Sequence, residues 1–165
     1  MSTIYLSVGA NVGDRAGNIR RAIEALGARE VRVKRVSSLY ETEPVEMREQ
    51  PWFLNCVVEA ETNLQAQQVM DVLLEIERVM GRERRVPKGP RVIDMDILLF
   101  GSSVVRTAGL EIPHPRMAER RFVLVPFAEI APGVGHPVLR KTIAELLAET
   151  ADRSEVRVSG ILRPR

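Results

Sequence analysis

The chain has 165 residues, a length typical of one domain, and 45% of them are hydrophobic, enough to form a core. The net charge of +2 is too small for a protein that coats nucleic acid, and a single cysteine excludes both a disulfide framework and a cysteine-rich zinc site. Because neither a signal peptide nor an apolar run of about 18 residues is visible, we expect a cytoplasmic protein without a membrane partner.

The first half of the chain predicts three strands and one helix. Alternating residues predict a strand over 3–9, which enters a glycine-containing turn. Apolar residues at helical spacing then predict a helix between Asp14, a good N-cap, and Gly27, a good terminator. The stretches 31–42 and 52–62 are rich in β-branched or alternating apolar residues, so we expect the second and third strands there.

The second half predicts two helices and a strongly apolar strand. A 3.6-residue period over 69–80 predicts a helix that Gly81 ends, and 92–100 is the clearest strand of the chain. A short edge strand at Val104 and Val105 is expected to pair back onto it. The stretch 111–137 holds five prolines, which predicts loops with room for one helical turn, and 142–149 predicts the last helix.

The predicted order of these elements is β-α-β-β-α-β with C-terminal additions. This is the ferredoxin-like pattern, so the predicted fold class is α+β with a largely antiparallel sheet. We expect residues 1–165 to form a single domain. For the C-terminal residues two alternatives remain, a flexible tail over 151–165 and a further strand over 156–159.

Two aspartates interrupt the apolar strand predicted over 92–100. Because side chains alternate in a strand, Asp94 and Asp96 would share one face. The same face would hold Leu98 and Phe100, and the opposite face Ile93, Met95, Ile97 and Leu99. Carboxylates in such surroundings need a compensating cation, and Mg²⁺ prefers carboxylate and phosphate oxygens. The alternative is a solvent-exposed strand face, but aspartate is disfavoured in strands, so the pattern favours a metal site.

A basic stretch directly precedes the aspartates. Residues 82–91 carry five positive charges and one negative charge, a net +4, so the rest of the chain, at +2 − (+4), has a charge of −2. Arginine presents a fork of donors that matches phosphate oxygens, whereas most charged stretches are simply solvated. A metal site next to this stretch favours phosphate binding, because phosphoryl transfer requires cations and guanidinium groups together.

Four further residues are candidates for ligand contacts. His114, held between two prolines, could donate to a phosphate or cap backbone groups in a loop. Phe53 and Phe122 could stack on a flat heterocycle, although phenylalanine is more often part of the core. Asn55 would share a strand face with Phe53, and its amide suits a pterin or purine edge as well as a buried core position. No Walker A or protein-kinase glycine loop is present.

From Tyr5 to about residue 147 the chain resembles the 6-hydroxymethyl-7,8-dihydropterin pyrophosphokinase family of folate biosynthesis. The matching blocks are 8–14, 37–44, 50–55, 77–82, 89–98, 114–117 and 120–124. The most specific is the pattern Gly-Pro-Arg-x-x-Asp-x-Asp, which stands here at 89–96. Pro87 and Lys88 occupy the place of the Arg-Trp pair that many members have, and Leu74 and Pro115 also depart from the pattern.

The resemblance implies a ferredoxin-like fold and transfer of the β,γ-pyrophosphoryl group of ATP to the pterin hydroxymethyl oxygen, with release of AMP. It implies two Mg²⁺ ions bound by Asp94 and Asp96. The implied ATP contacts are Glu77, Arg82, Arg84, Arg91, Ile97, His114 and Arg120. The implied pterin contacts are Thr42, Val45, Phe53, Asn55, Asp94 and Phe122. Arg82, Arg91, Asp94 and Asp96 would be the catalytic residues.

Other functions are less consistent with the sequence. An RNA-binding module can also have a ferredoxin-like sheet, but it predicts aromatic strands and a broad basic face, and neither is present. A relative that binds ATP without catalysis is a third hypothesis, against which the intact aspartate pair argues. The expected partners are therefore ATP and the pterin rather than nucleic acid, and we expect a monomer.

Overall fold

The computed structural model describes residues 1–45, 47–81 and 90–162. Its strands and helices in chain order are β1 (Ser2–Ala10), α1 (Arg15–Gly27), β2 (Val31–Val36), β3 (Leu39–Thr42), β4 (Phe53–Thr62), α2 (Ala66–Val79), β5 (Asp94–Phe100), β6 (Val105–Thr107), β7 (Leu110–Ile112), a 3-10 turn (Met117–Glu119), α3 (Arg121–Ile130), α4 (Ile143–Glu149) and β8 (Val156–Gly160). Within those ranges, no helix combines the length and apolar character needed to cross a membrane.

The main sheet has the strand order β5-β1-β4-β3-β8, and each neighbouring pair is antiparallel. The first strand therefore lies between the two strands that flank α2, as a split β-α-β arrangement requires. This order confirms the predicted ferredoxin-like fold. β8 extends the sheet beyond β3 and confirms the further strand expected over 156–159.

The prediction of one strand over 31–42 is wrong. The structure divides this stretch into β2 and β3, which pair with different parts of the same edge of β4. At the break, the Ser38 N–H donates to the Glu129 carboxylate, at 3.0 and 3.1 Å from its two oxygens, instead of to β4. The Ser37 hydroxyl accepts from the Val57 N–H at 2.9 Å, so the sheet edge remains satisfied.

Helices cover both faces of the sheet and create two cores. The α1/α2 core includes Ile4, Leu6, Val8, Ile19, Leu73, Met95, Ile97 and Phe100. The α3/α4 core includes Tyr5, Val57, Leu98, Leu99, Val123, Leu124 and Phe127. The predicted N-cap is confirmed, because Asp14 accepts from the Gly17 N–H at the start of α1. Thr142, which was not predicted as a cap, forms a capping box with Glu145 at the start of α4. Gly81, with φ of +84°, follows the end of α2.

The prediction of loops over 111–137 is wrong for α3. This helix has ten residues and contains Pro126, which cannot donate a backbone hydrogen bond. Its apolar residues Val123, Leu124 and Phe127 are buried in the α3/α4 core, and the Phe127 ring lies 4.7 Å from that of Tyr5. Burial of this apolar face outweighs the unfavourable helix propensity of proline.

The edge strand expected at Val104 and Val105 also differs. β6 pairs with β7 in a separate two-stranded hairpin and does not pair with β5. The backbone beyond the hairpin returns to the edge of β5, where the His114 N–H donates to the Leu98 carbonyl oxygen at 3.0 Å. That contact occupies part of the β5 edge and brings His114 beside the sheet.

Candidate active site

A pocket of about 470 Å³ lies at the end of the sheet where β1 and β3 finish and where β4 and β5 begin. Eleven of the predicted site residues line it: Thr42, Val45, Phe53, Asn55, Glu77, Arg91, Asp94, Asp96, His114, Arg120 and Phe122. Ile97 lines a smaller adjoining cavity, which shares Asp96 and His114 with the pocket. Arg82 and Arg84 lie outside the described residues.

The two aspartates begin β5 and are partly exposed on either side of the buried Met95. Asp94 is paired with Gly9 and Asp96 with Ser7 in β1, and Arg91 Nη1 approaches Asp94 Oδ1 at 3.3 Å. The described residues contain no group of three or more acidic, histidine or cysteine side chains that could hold a metal ion. A cation held by this pair would complete its coordination with oxygens from a bound ligand and from water, the usual way in which Mg²⁺ is bound.

The facing predicted along β5 is correct only up to Leu98. Tyr5 is opposite Leu99 and Leu6 is opposite Ile97, so Leu98 is an extra residue, a β-bulge. After the bulge the alternation is reversed. Leu99 joins Leu98 in the α3/α4 core and Phe100 packs in the α1/α2 core, the opposite of the predicted facing for both residues.

A buried amide and hydroxyl form another wall of the pocket. Asn55 Nδ2 donates to Thr42 Oγ1 at 2.6 Å, and the two residues are only 5% and 1% exposed. Asn55 Oδ1 lies directly over Gly9, where a Cβ atom would overlap it. Glycine is therefore required at position 9 for close approach, and the Thr42 hydroxyl retains its own proton for donation.

Two phenylalanines line the same pocket from different elements. Phe53 begins β4 and Phe122 lies in the first turn of α3, and both are half-buried. Among the described residues the only stacked aromatic pair is Tyr5 with Phe127, so these two rings do not contact each other. The Arg120 guanidinium lies 5.5 Å from the centre of the Phe122 ring, a cation–π distance.

His114 is a neutral hydrogen-bond donor at neutral pH. Burial lowers its pKa to about 4; the positive charge of Arg120 contributes to this shift, and the negative charge of Asp94 opposes it. Its Nδ1 accepts from the Arg116 N–H at 3.1 Å, which assigns the ring proton to Nε2. Of the two sequence hypotheses, the backbone contact is therefore present, and the other ring nitrogen remains a donor.

Glu77 fixes the backbone between the two aspartates. It is a buried residue of α2, and its Oε2 accepts from the Met95 N–H at 2.9 Å. An N–H at that point of β5 would otherwise face α2 without a strand partner. The contact joins the helix to the strand at the level of the carboxylate pair.

Asn11 is a buried residue that supports the pocket and was not among the predicted site residues. Its Oδ1 accepts from the Arg91 N–H at 2.7 Å, and its own N–H donates to the Arg91 carbonyl at 3.0 Å. Its Nδ2 donates to Gln50 Oε1 and to the Pro51 carbonyl, each at 2.9 Å. One side chain thus joins the loop before β4 to the segment that carries Arg91.

Further pocket residues come from three regions whose contribution to the pocket no sequence pattern indicated. The loop after β3 contributes Glu43, Pro44 and Gln50, α2 contributes Met70, and the β6–β7 turn contributes Gly109. Pro44 and Pro51 mark the limits of this loop in the sequence, but they do not indicate which part of the fold the loop contacts. Gly109 could not be selected because the β6–β7 hairpin was not predicted.

Comparison with known proteins matches this chain to one family. The family described as 7,8-dihydro-6-hydroxymethylpterin-pyrophosphokinase matches residues 5–132. The 2-amino-4-hydroxy-6-hydroxymethyldihydropteridine pyrophosphokinase of Aquifex aeolicus is 40% identical over 90% of this chain and 92% of its own length. Folic acid synthesis protein fol1 of Pneumocystis carinii is 38% identical over 90% of this chain. That relative is longer, and the matched region covers only 20% of its length.

Solved structures share the fold at low sequence identity. Wild-type HPPK-DHPS of Plasmodium falciparum with pteroate superimposes with a TM-score of 0.71 at 16% identity. The match covers 90% of this chain and 42% of the Plasmodium chain.

Proposed function

The chain belongs to the 7,8-dihydro-6-hydroxymethylpterin-pyrophosphokinase family, and we propose that its pocket transfers pyrophosphate from ATP to the hydroxymethyl oxygen of 6-hydroxymethyl-7,8-dihydropterin. The transfer releases AMP and is a step of folate biosynthesis. The observation that carries the proposal is the convergence of a carboxylate pair, arginines, a neutral histidine and a buried amide in one pocket.

The pterin occupies the part of the pocket formed by β3, β4 and the start of α3. Its flat ring fits between Phe53 and Phe122, which line the pocket without touching each other. Asn55 and Thr42 offer amide and hydroxyl groups to the polar ring edge, and the backbone of Val45 offers further contacts. The polar ring edge needs such partners, because unpaired buried polar groups are costly.

ATP occupies the part of the pocket near α2 and β5. Arg91, Arg120 and the Nε2–H of His114 bind the triphosphate. Arg82 and Arg84, which lie outside the described residues, are the further proposed ATP contacts. Glu77 and the backbone of Ile97 lie on the nucleoside side. Because its pKa is lowered, His114 is neutral and donates its Nε2–H to a phosphate oxygen without first having to take up a second proton.

Asp94 and Asp96 are the residues that would bind Mg²⁺. The donor set fits, because two hard carboxylate oxygens on one strand face leave the remaining positions for phosphate oxygens. When bound, two Mg²⁺ ions would offset the negative charge of the transferring group. Arg91, at 3.3 Å from Asp94, keeps the carboxylate oriented towards the pocket.

The chain acts mainly by positioning the reacting atoms. The hydroxymethyl oxygen forms a bond to the β-phosphorus and gives up its proton to solvent. The bond between the β-phosphorus and the oxygen that bridges it to the α-phosphorus breaks, and AMP leaves with that oxygen. The pocket residues hold the two substrates in line, and the arginines stabilise the charge that develops. We also propose that the protein is a cytoplasmic monomer that acts on small molecules without nucleic acid.

AMP release is the direct test. Wild-type protein with Mg²⁺, ATP and the hydroxymethyl-dihydropterin should form AMP, and omission of the pterin should abolish it. Asp96→Asn should lower the rate at least about 100-fold, whereas Asp71→Asn, an exposed aspartate of α2 outside the pocket, should leave it unchanged. ADP as the product would contradict the proposal, and ATP binding without AMP would favour a non-catalytic relative.

A further inference from the structure

A C-terminal segment outside the family match contacts both sides of the pterin part of the pocket. The family match covers residues 5–132, and this segment comprises residues 152–155. On one side, the Glu43 N–H donates to the Glu155 carbonyl oxygen at 3.2 Å, and the Glu155 N–H donates to Glu43 Oε1 at 2.9 Å. Glu43 directly follows Thr42, so this reciprocal pair fixes the end of β3.

On the other side, the same segment binds the start of α3. The Arg121 N–H donates to Asp152 Oδ2 at 2.8 Å, and Arg121 Nε donates to the Ser154 carbonyl at 3.1 Å. Asp152 Oδ1 accepts from the Ser154 N–H at 2.9 Å, which fixes the carboxylate. Arg121 directly precedes Phe122, so the bond from its N–H to Asp152 fixes the backbone from which the Phe122 ring extends.

The Asp152 carboxylate is charged at neutral pH. Burial alone would raise its pKa, but the N–H groups of Arg121 and Ser154 and the charge of Arg121 lower it further, so the net shift is downward. Its hydrogen bonds are therefore charge-assisted and stronger than those of a neutral acceptor. The reciprocal Glu43 contacts and the Asp152 contacts are only three residues apart in the chain.

We propose that residues 152–155 are a brace that sets the spacing between Thr42 and Phe122, and that Asp152 is a positioning residue for the pterin. The proposal rests on the proposed function. A segment of four residues bound at both ends leaves little freedom between the two sides. The bound pterin requires a defined distance between the Phe122 ring and the Thr42 hydroxyl, because Phe122 contacts its face and Thr42 its edge.

Asp152→Ala tests the brace, with Glu155→Ala as the matched control. Among the described residues the Glu155 side chain pairs only with the exposed Arg157, and its backbone contacts to Glu43 survive the substitution. With a non-hydrolysable ATP analogue present, calorimetry should show pterin affinity about tenfold weaker in Asp152→Ala, the loss expected from one charge-assisted bond. Affinity for the ATP analogue alone should change at most about threefold, because ATP has several other contacts.

A second pair of variants separates the brace from a general loss of structure. Glu43→Ala removes the acceptor for the Glu155 N–H, whereas Glu43→Gln retains an oxygen at Oε1. Pterin affinity should fall in the alanine variant and be largely restored in the glutamine variant. Equal losses for pterin and for the ATP analogue, or no rescue by glutamine, would overturn the proposal.

Amide exchange in the absence of ligands distinguishes failure of the brace from failure of the proposed function. In Asp152→Ala the Arg121 and Phe122 amides should exchange at least about tenfold faster than in wild type, while Glu155→Ala should leave them unchanged. If the wild-type protein binds no pterin but these amides respond, the proposed function fails and the brace stands. If wild type binds pterin and Asp152→Ala binds it equally well, the brace alone is refuted.

Discussion

Replacing Gly9 with alanine tests how closely β1 must approach the Asn55 side chain. Gly9 is paired with Asn55 of β4, and an added methyl group would overlap Asn55 Oδ1 and lie 3.1 Å from its Cγ. The Leu54 carbonyl oxygen, 3.3 Å away, limits any shift of the methyl itself. The Asn55 amide must therefore rotate, which breaks its 2.6 Å hydrogen bond to Thr42.

The expected loss in the free energy of unfolding is about 2–4 kcal/mol. A buried hydrogen bond lost with its partners unsatisfied costs roughly 1–3 kcal/mol, and the extra methyl adds about 1 kcal/mol, the low end of its usual range because the amide side chain can move aside. For a protein of this size each kcal/mol lowers Tm by roughly 2–4 °C, so we expect a decrease of roughly 5–15 °C. Pterin affinity should also fall at least about tenfold, since Asn55 leaves the ring edge. Urea unfolding and calorimetry measure the two effects.

A double mutant decides whether the methyl acts through Asn55. In the Asn55→Ala background the clashing amide is absent, so Gly9→Ala should cost much less than in wild type. Gly133→Ala, where an added methyl meets nothing within 4 Å, controls for the effect of replacing a glycine as such. An equal cost of Gly9→Ala in both backgrounds would refute the steric reasoning.

Three other properties follow from buried groups. Because the folded-state pKa of His114 is about 4 and its ordinary value 6.5, only the unfolded state takes up this proton as pH falls from 6.5 to 4. The free energy of unfolding should drop by up to about 3 kcal/mol over that window, and His114→Gln should remove most of the slope in urea titrations above about pH 5. The remaining slope comes from His136, whose pKa burial also lowers, and, towards pH 4, from carboxyls such as Asp152 whose pKa is lowered in the folded state. Burial raises the pKa of Cys56 to about 12, so a thiol reagent such as DTNB should react only after urea is added, and reaction with the folded protein would contradict this. Asn11→Ala leaves the Arg91 N–H unpaired and should lower stability by about 2–4 kcal/mol and weaken ATP binding; an unchanged Tm and unchanged ATP affinity would argue against this role.

Local patterns predicted the elements whose contacts are close in sequence or regular in period. The helices α1, α2 and α4 were predicted from apolar spacing and caps, and the alternation in β5 correctly placed Asp94 and Asp96 on one face. Much of the site assignment, by contrast, came from the family resemblance. Of the eleven predicted residues that the fold brings to one pocket, the resemblance alone selected Thr42, Val45, Glu77 and Arg120, and the individual roles of all eleven stay predictions.

Apart from the local β6–β7 hairpin, the main misses share a physical cause, which is hydrogen bonding or packing between distant parts of the chain. The break between β2 and β3 depends on Glu129, which is 91 residues from Ser38. The support of Arg91 by Asn11 spans 80 residues. The helix around Pro126 forms because its apolar face is buried on the sheet, which no window of local sequence contains.

The bulge at Leu98 explains how one strand can serve both the pocket and the core. With strict alternation, Leu99 would face α1 and α2, and Phe100 would lie on the face of the aspartates. The extra residue instead places Leu98 and Leu99 together in the α3/α4 core, where Leu99 lies opposite Tyr5. The strand therefore presents Asp94 at its first residue and, further along, supports the helix whose first turn carries Phe122. The same strand thus carries the two carboxylates and packs against the helix that carries the Phe122 ring.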